Sequence, residues 1–163
     1  MNPPTDGAVL TSALQWDTLT HMTPSVGSVQ RSFRLSVNTS ELLDASAELG
    51  SESRNALVDR LLGEALRTER HPLVRFRSSP TGRREPLMTG TRLLVRQVVA
   101  TVRDHDGNID EAAAYFEQPT RVVRAALSYY SDFKAEVDAD AEIAARIEAD
   151  ERTRWEREQV PLA

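Results

Sequence analysis

Residues 29–68 read VQRSFRLSVNTSELLDASAELGSESRNALVDRLLGEALRT, and two kinds of hydrophobic spacing follow each other in this segment. Every second residue from Phe33 to Val37 is apolar, as expected of a strand whose side chains point to opposite faces in turn. Apolar residues then recur at helical spacing over 40–49 and again over 53–67. The segment therefore predicts a short strand followed by two helices.

The residues between these elements are typical of helix ends. Asn38, with Glu41 three residues later, fits a capping box, and Gly50 suits a left-handed helix terminus. Ser53 fits the N-cap of the second helix. So short a segment cannot bury its wide apolar stripe alone. It therefore predicts an intertwined dimer; the alternative is a two-helix piece of a larger core.

Charge is distributed unevenly along the rest of the chain. The net charge is −5, yet residues 67–103 contain nine arginines and two glutamates, and residues 132–163 contain ten acidic and five basic residues. This asymmetry favours an anionic partner for the basic segment and a different partner for the acidic one. The alternative is that the acidic tail merely offsets the basic segment.

Downstream of residue 68 the sequence predicts a basic linker, a second domain and a tail. The linker is expected at 69–85, with a short strand around Val74, and the domain at 86–131. A turn is predicted within the domain at Thr89–Arg92, followed by three helices at 95–103, 109–116 and 120–130. The last two, joined by a short turn at Pro119, have the outline of a helix-turn-helix. The final helix would then contact DNA through Thr120, Arg121 and Arg124.

The tail, residues 132–163, predicts a long polar helix. Its apolar residues Val137, Ile143 and Ile147 are too sparse to stabilise it by burial within its own chain. A partner groove would explain the helix. The acidic residues of its first half are expected to form a solvated face, namely Asp138, Asp140 and Glu142.

The first segment resembles the ribbon-helix-helix family of DNA-binding dimers. RSFRLSV at 31–37 looks like the family's strand, and SRNALVDRLL at 53–62 looks like its second helix. In that family the paired strands enter the major groove, and the N-terminus of the second helix binds a phosphate. The resemblance implies base contacts by Ser32, Arg34 and Ser36, and phosphate contacts by Ser53, Arg54 and Asn55.

The second segment is similar to a small bacterial domain family of formerly unknown function, which has a helix-turn-helix or winged-helix outline. Its motifs occur here in order as HPLVRF at 71–76, GRR at 82–84, TGTR at 89–92 and AALSYY at 125–130. That family occurs in antitoxins beside PIN-domain toxins. The combination resembles a VapB-type antitoxin: mostly α, with a ribbon-helix-helix dimerisation domain, a helix-turn-helix-like domain and a long C-terminal helix.

The antitoxin resemblance implies two partners and a mechanism. A homodimer or higher oligomer would bind operator DNA, and the C-terminal segment would neutralise a VapC-like ribonuclease. An arginine would enter the toxin's acidic site and an aromatic residue would anchor it, which implies toxin contacts by Arg154, Trp155 and Arg157. The alternative for Trp155 is packing on its own domain. The alternatives for the protein are a transcription regulator without a toxin, and a second domain that binds only protein.

Other functions find little support in the residues. The chain has no cysteine, no phosphate-binding glycine loop and no nucleophile elbow, and His21, His71 and His105 are too far apart for a local metal pair. We therefore expect no enzyme activity and no cofactor. No apolar stretch is long enough for a membrane span and no signal peptide is recognisable, so a cytoplasmic protein is expected. Residues 1–28 predict a flexible arm.

Overall fold

The computed structural model of the protein describes residues 29–159, so the predicted arm at 1–28 lies outside the described part. This part is mostly helical with a long C-terminal helix, as expected, and it also contains one small antiparallel sheet. The elements follow in the order α1 (Val37–Leu49), α2 (Arg54–Arg70), β1 (Val74–Ser78), β2 (Arg84–Met88), α3 (Val95–Asp104), α4 (Ile109–Tyr115), α5 (Thr120–Asp132) and α6 (Lys134–Glu158).

The predicted N-terminal strand corresponds to residues 29–36, which are exposed and have no regular secondary structure. They belong to one compact unit and the residues from Val37 onward to another. A ribbon strand would pair with the same strand of a second copy, so the strand stays a prediction. Two details are wrong. Val37 and Asn38 lie in the first turn of α1, so Asn38 is not its cap, and Gly50 has no positive φ.

Helix α2 begins as expected and is longer than expected. The Oγ of Ser53 accepts a hydrogen bond from the backbone N–H of Ala56 at 3.2 Å, which confirms the predicted N-cap. The helix then continues to Arg70. Only one of its side chains, that of Leu57, is buried, and α1 buries none. The two helices therefore leave an apolar face uncovered in the single chain: Leu42, Leu49, Val58, Leu61, Leu62 and Leu66.

The hydrophobic core is formed by the hairpin β1–β2 and the four helices that follow it. The buried residues are Val74, Met88, Val95, Val98, Val99, Val102, Ala112, Ala113, Val122, Val123, Ala126, Tyr129 and Val137. Val74 comes from the predicted linker and Val137 from the predicted tail. The packed unit therefore extends beyond 86–131 on both sides, although the division into functional domains stays a prediction.

The hairpin explains why side chains of the segment 69–85 pack in the core. The predicted strand at Val74 is confirmed as β1, which pairs with β2 in antiparallel register, with Phe76 opposite Pro86. The sequence analysis missed β2 because proline cannot donate a ladder hydrogen bond and because charged residues precede it. The predicted turn after β2 is confirmed: Gly90 has a φ of 77°, and Thr91 Oγ1 donates to the carbonyl of Met88.

We expect the melting temperature to rise with protein concentration, because a second copy would cover the apolar face of α1 and α2. Leu61→Ala should lower the melting temperature and weaken this dependence, because Leu61 belongs to that face. Val98→Ala is the control, since Val98 is fully buried. It should cost about 2–3 kcal/mol and keep the dependence. Calorimetry over a range of concentrations tests this, and a concentration-independent melting temperature for the unchanged protein would contradict it.

Candidate nucleic-acid interface

The residues predicted to contact DNA from the first segment lie at the surface. Ser32, Arg34 and Ser36 belong to the exposed residues 29–36. At the start of α2, the Oγ of Ser53 is engaged in its own helix cap, and Arg54 Nη2 lies 2.9 Å from Asp44 Oδ1 of α1. Asn55, Arg54 and Ser53 are all exposed. A phosphate at this helix terminus would therefore compete with Asp44 for Arg54.

The residues predicted to contact DNA from the second segment lie on the first turns of α5. The core face of this helix is formed by Val122, Val123 and Ala126, so Arg121 and Arg124 point to solvent and are exposed. Thr120 Oγ1 donates to Asp110 Oδ1 at 3.3 Å. Among the residues the structure describes, no carboxylate lies within ion-pair distance of Arg121 or Arg124. Two guanidinium groups are thus presented on one helix without an internal counterion.

Most of the nine arginines between residues 67 and 103, in contrast, have carboxylate partners. Seven of them form ion pairs, in the order Arg67–Glu136, Arg70–Asp132, Arg77–Glu85, Arg83–Asp140, Arg84–Glu64, Arg96–Glu85 and Arg103–Asp138. Four of the seven use carboxylates of the acidic tail. Seven of the nine arginines therefore already have a carboxylate partner in the described part of the chain, and the alternative, in which the tail offsets the basic segment, describes four of these contacts. An anionic partner for this segment stays a prediction.

Three of the tail carboxylates that pair with these arginines are regularly spaced in the sequence. Asp132, the last residue of α5, and Glu136 and Asp140 of α6 are spaced four residues apart, and the break between the two helices lies at Phe133. Glu136 and Asp140 fall on neighbouring turns of one face of α6. Arg67 Nη1 of α2 lies 2.6 Å from Glu136, and Arg70 Nε lies 2.8 Å from Asp132. We call these three acids and their partner arginines, which include Arg83 from the hairpin, the ion-pair row.

Neighbouring aromatic and imidazole groups complete the ion-pair row. The Nε2 of His71 lies 2.9 Å from Asp132 Oδ2, and the imidazole is almost fully buried. The hydroxyl of Tyr129 donates to Glu136 Oε1 at 3.0 Å. Burial raises the pKa of Tyr129, which therefore stays a hydrogen-bond donor at neutral pH. Each acid of the row thus contacts groups from elements other than α6.

The expectation that the acids of the tail's first half form a solvated face is therefore wrong for Asp138 and Asp140, whereas Glu142 is exposed as expected. Asp140 is only 6% exposed and binds Arg83. Burial raises the pKa of its carboxyl, and Arg83 opposes that increase. Asp138 accepts hydrogen bonds from Lys134, Tyr130 and Arg103, and its bond to Lys134 is the main reason that its pKa is lowered. The sequence did contain a signal for this pairing: acids of the tail recur every four residues, and an arginine-rich segment precedes them.

The predicted toxin contacts lie on a different part of α6. Residues 145–159 are all exposed, so the helix is packed on the core only up to Ala144. Arg154 and Arg157 are exposed, and Trp155 is 61% exposed. The alternative in which Trp155 packs on its own domain is therefore wrong. The expectation that the tail lacks burial is wrong for its first half, which buries Val137 and Asp140, and correct for its second half.

The described residues contain no group of three or more histidines or carboxylates suited to a metal ion. No described helix is long and apolar enough to cross a membrane. No family model, curated protein or solved structure is significantly similar to this chain. The two family resemblances therefore depend on the motifs quoted above, and the DNA and toxin contacts stay predictions.

We expect Glu136→Gln to lower the free energy of unfolding by about 1 kcal/mol, because it removes the charge that Arg67 contacts. Glu142→Gln is the matched control. It changes the same group on the same helix, but Glu142 is exposed and forms no ion pair among the described residues, so its effect should be within about 0.5 kcal/mol. Urea unfolding measures both. Equal effects of the two substitutions would contradict the role assigned to the ion-pair row.

Proposed function

We propose that the protein is a DNA-binding antitoxin. As a dimer it binds its own operator and represses transcription, and through the distal part of α6 it neutralises a PIN-domain ribonuclease. The observation that supports the DNA-binding part of this proposal is a contrast among the arginines. Seven of nine in the basic segment pair with carboxylates, whereas Arg121 and Arg124 are exposed on one helix without such partners in the described part of the chain.

A guanidinium group that already has a carboxylate partner must release it before it can bind a phosphate. One without a partner releases only solvent and counterions, and the phosphate contact contributes directly to affinity. This argument favours α5 as the DNA-contacting element of the predicted second domain. The hairpin contributes Arg75, which is exposed without a carboxylate partner among the described residues, but its guanidinium already donates to the carbonyls of Pro72 and Val74. Arg34, which lies in the exposed segment 29–36, is the corresponding candidate in the first segment.

The uncovered face of α1 and α2 supports a dimeric form. Contiguous exposed apolar side chains are uncommon on monomeric proteins and typically mark interfaces. The face includes Leu61, Leu62 and Leu66 on α2, each at least 44% exposed. Two copies of such helices sharing one core is the arrangement that the ribbon-helix-helix resemblance implies.

The distal part of α6 supports the toxin-binding part of the proposal. A helix of this length without tertiary contacts is marginally stable in water, and an exposed tryptophan between arginines is typical of an interface anchor. Arg154, Trp155 and Arg157 are the proposed contacts. A PIN-type active site uses carboxylates and a divalent metal, so an arginine inserted there would compete with metal or substrate.

We expect Arg121→Ala together with Arg124→Ala to weaken binding to the DNA upstream of the gene. The salt slope of log K should fall by about 1 for each phosphate that the variant no longer neutralises. Arg77→Ala is the control, since Arg77 is an exposed arginine already paired with Glu85. It should leave the slope unchanged. Gel-shift titrations at several salt concentrations test this. Unchanged affinity and an unchanged salt slope in the double variant would indicate that the predicted second domain, residues 86–131, binds only protein.

We expect the full chain to co-purify with the product of the adjacent gene, and a chain ending at Ala144 to fail to form that complex. The cut at residue 144 retains the whole ion-pair row and Val137, so the shortened protein keeps its core. Circular dichroism and gel-shift assays on the shortened chain provide the control for folding and DNA binding. Absence of a complex with the full chain would favour the alternative, a transcription regulator without a toxin.

A further inference from the structure

The distal part of α6, residues 145–158, extends beyond the packed part of the helix, although Ile147, Glu148 and Glu151 line a cleft beside the hairpin. Every residue of it is exposed. Its larger apolar side chains are Ile147 and Trp155, which are eight residues apart and 40% and 61% exposed. Two intervals of four residues keep these side chains within one broad stripe of the helix. The stripe is available to another helix.

Charge changes sign along this helix. Residues 142–151 contain four acidic residues and one arginine, whereas residues 152–158 contain three arginines and two glutamates. A second copy aligned in parallel would place acid against acid. A second copy aligned antiparallel would place the acidic part of each helix against the arginine-rich part of the other.

We propose that the distal part of α6 binds the same segment of a second copy as an antiparallel helix pair, centred near Glu151. In this alignment Ile147 lies opposite the partner's Trp155, and by symmetry the same contact occurs twice. Glu148 lies on the same flank of the pair as the partner's Arg152, and Asp150 lies on the same flank as the partner's Arg154. The two Glu151 side chains meet near the axis, and each has arginines of the other copy within one turn.

The surroundings of Ile147 suit a tryptophan. A cleft of about 270 Å³ lies between α6 and the hairpin. Its apolar wall is formed by Ile143 and Ile147, and the side chains of Arg77 and Arg83 also line it. Indole rings gain from apolar burial and from contact with guanidinium groups. The partner's Trp155 would approach the mouth of this cleft.

The inference does not require the proposed toxin, but it concerns the same surface. A partner that binds Arg154 and Trp155 would have to displace the second copy. Self-pairing would then protect the exposed tryptophan when no such partner is bound, and it would lower the apparent affinity of the tail for that partner.

The absence of cysteine from the chain gives a direct test. Glu151→Cys places a thiol near the proposed axis, and Ala149→Cys places one on the opposite side of the same exposed helix, as the matched control. The full-length variants are oxidised at low micromolar concentration. We expect disulfide-linked dimers to form at least tenfold faster for Glu151→Cys than for Ala149→Cys, and Trp155→Ala in the Glu151→Cys background to slow the reaction.

A second experiment determines the direction of the pair. In an equimolar mixture of Glu148→Cys and Arg152→Cys chains, an antiparallel pair gives mainly the mixed disulfide, whereas a parallel pair gives the two homodimers. Equal rates at residues 149 and 151, or a predominance of homodimers in the mixture, would overturn the proposal. DNA binding by the same variants is measured separately, so failure of the self-pairing is distinguishable from failure of the proposed function.

Discussion

The ion-pair row is the interaction on which the arrangement of the second unit depends. Asp132, Glu136 and Asp140 lie four residues apart, and their partners come from α2 and the hairpin. Such pairs contribute little net stability when exposed, and desolvation offsets much of their Coulomb energy when they are buried. Their main effect is orientational, because each acid contacts specific groups of other elements, and a rotation of α6 about its axis would move Glu136 and Asp140 away from theirs.

The row also decides which charges remain available for partners. Once the tail has paired with Arg67, Arg70, Arg83 and Arg103, four of the nine arginines of the basic segment are offset by acids of the tail. Among the arginines left without carboxylates in the described region, those on α5 are the basis of the proposed DNA contact. A count of charges along the sequence points instead to the basic segment, most of whose arginines already have partners.

Two surfaces remain uncovered when the core is complete. One is the apolar face of α1 and α2, and the other is the distal part of α6 with Ile147 and Trp155. Each is an element that a single chain cannot stabilise by burial, which is why both have been assigned partners. The first fits a second copy through its apolar side chains. The second fits a second copy through charge that changes sign along the helix, and the proposed toxin would use the same surface.

Local spacing by itself determined the helices, the Ser53 cap and the turn at Gly90, because hydrogen bonds within a turn or helix depend on near neighbours in sequence. It also placed Trp155 on a long polar helix, but the structure was needed to show that this side chain does not pack on its own domain. It did not reveal β2, whose ladder of hydrogen bonds is formed with β1. Only the tertiary structure decided that the tail's first acids are paired and partly buried, because Arg67 and Glu136 are far apart in sequence and meet only when α2, the hairpin and α6 pack together.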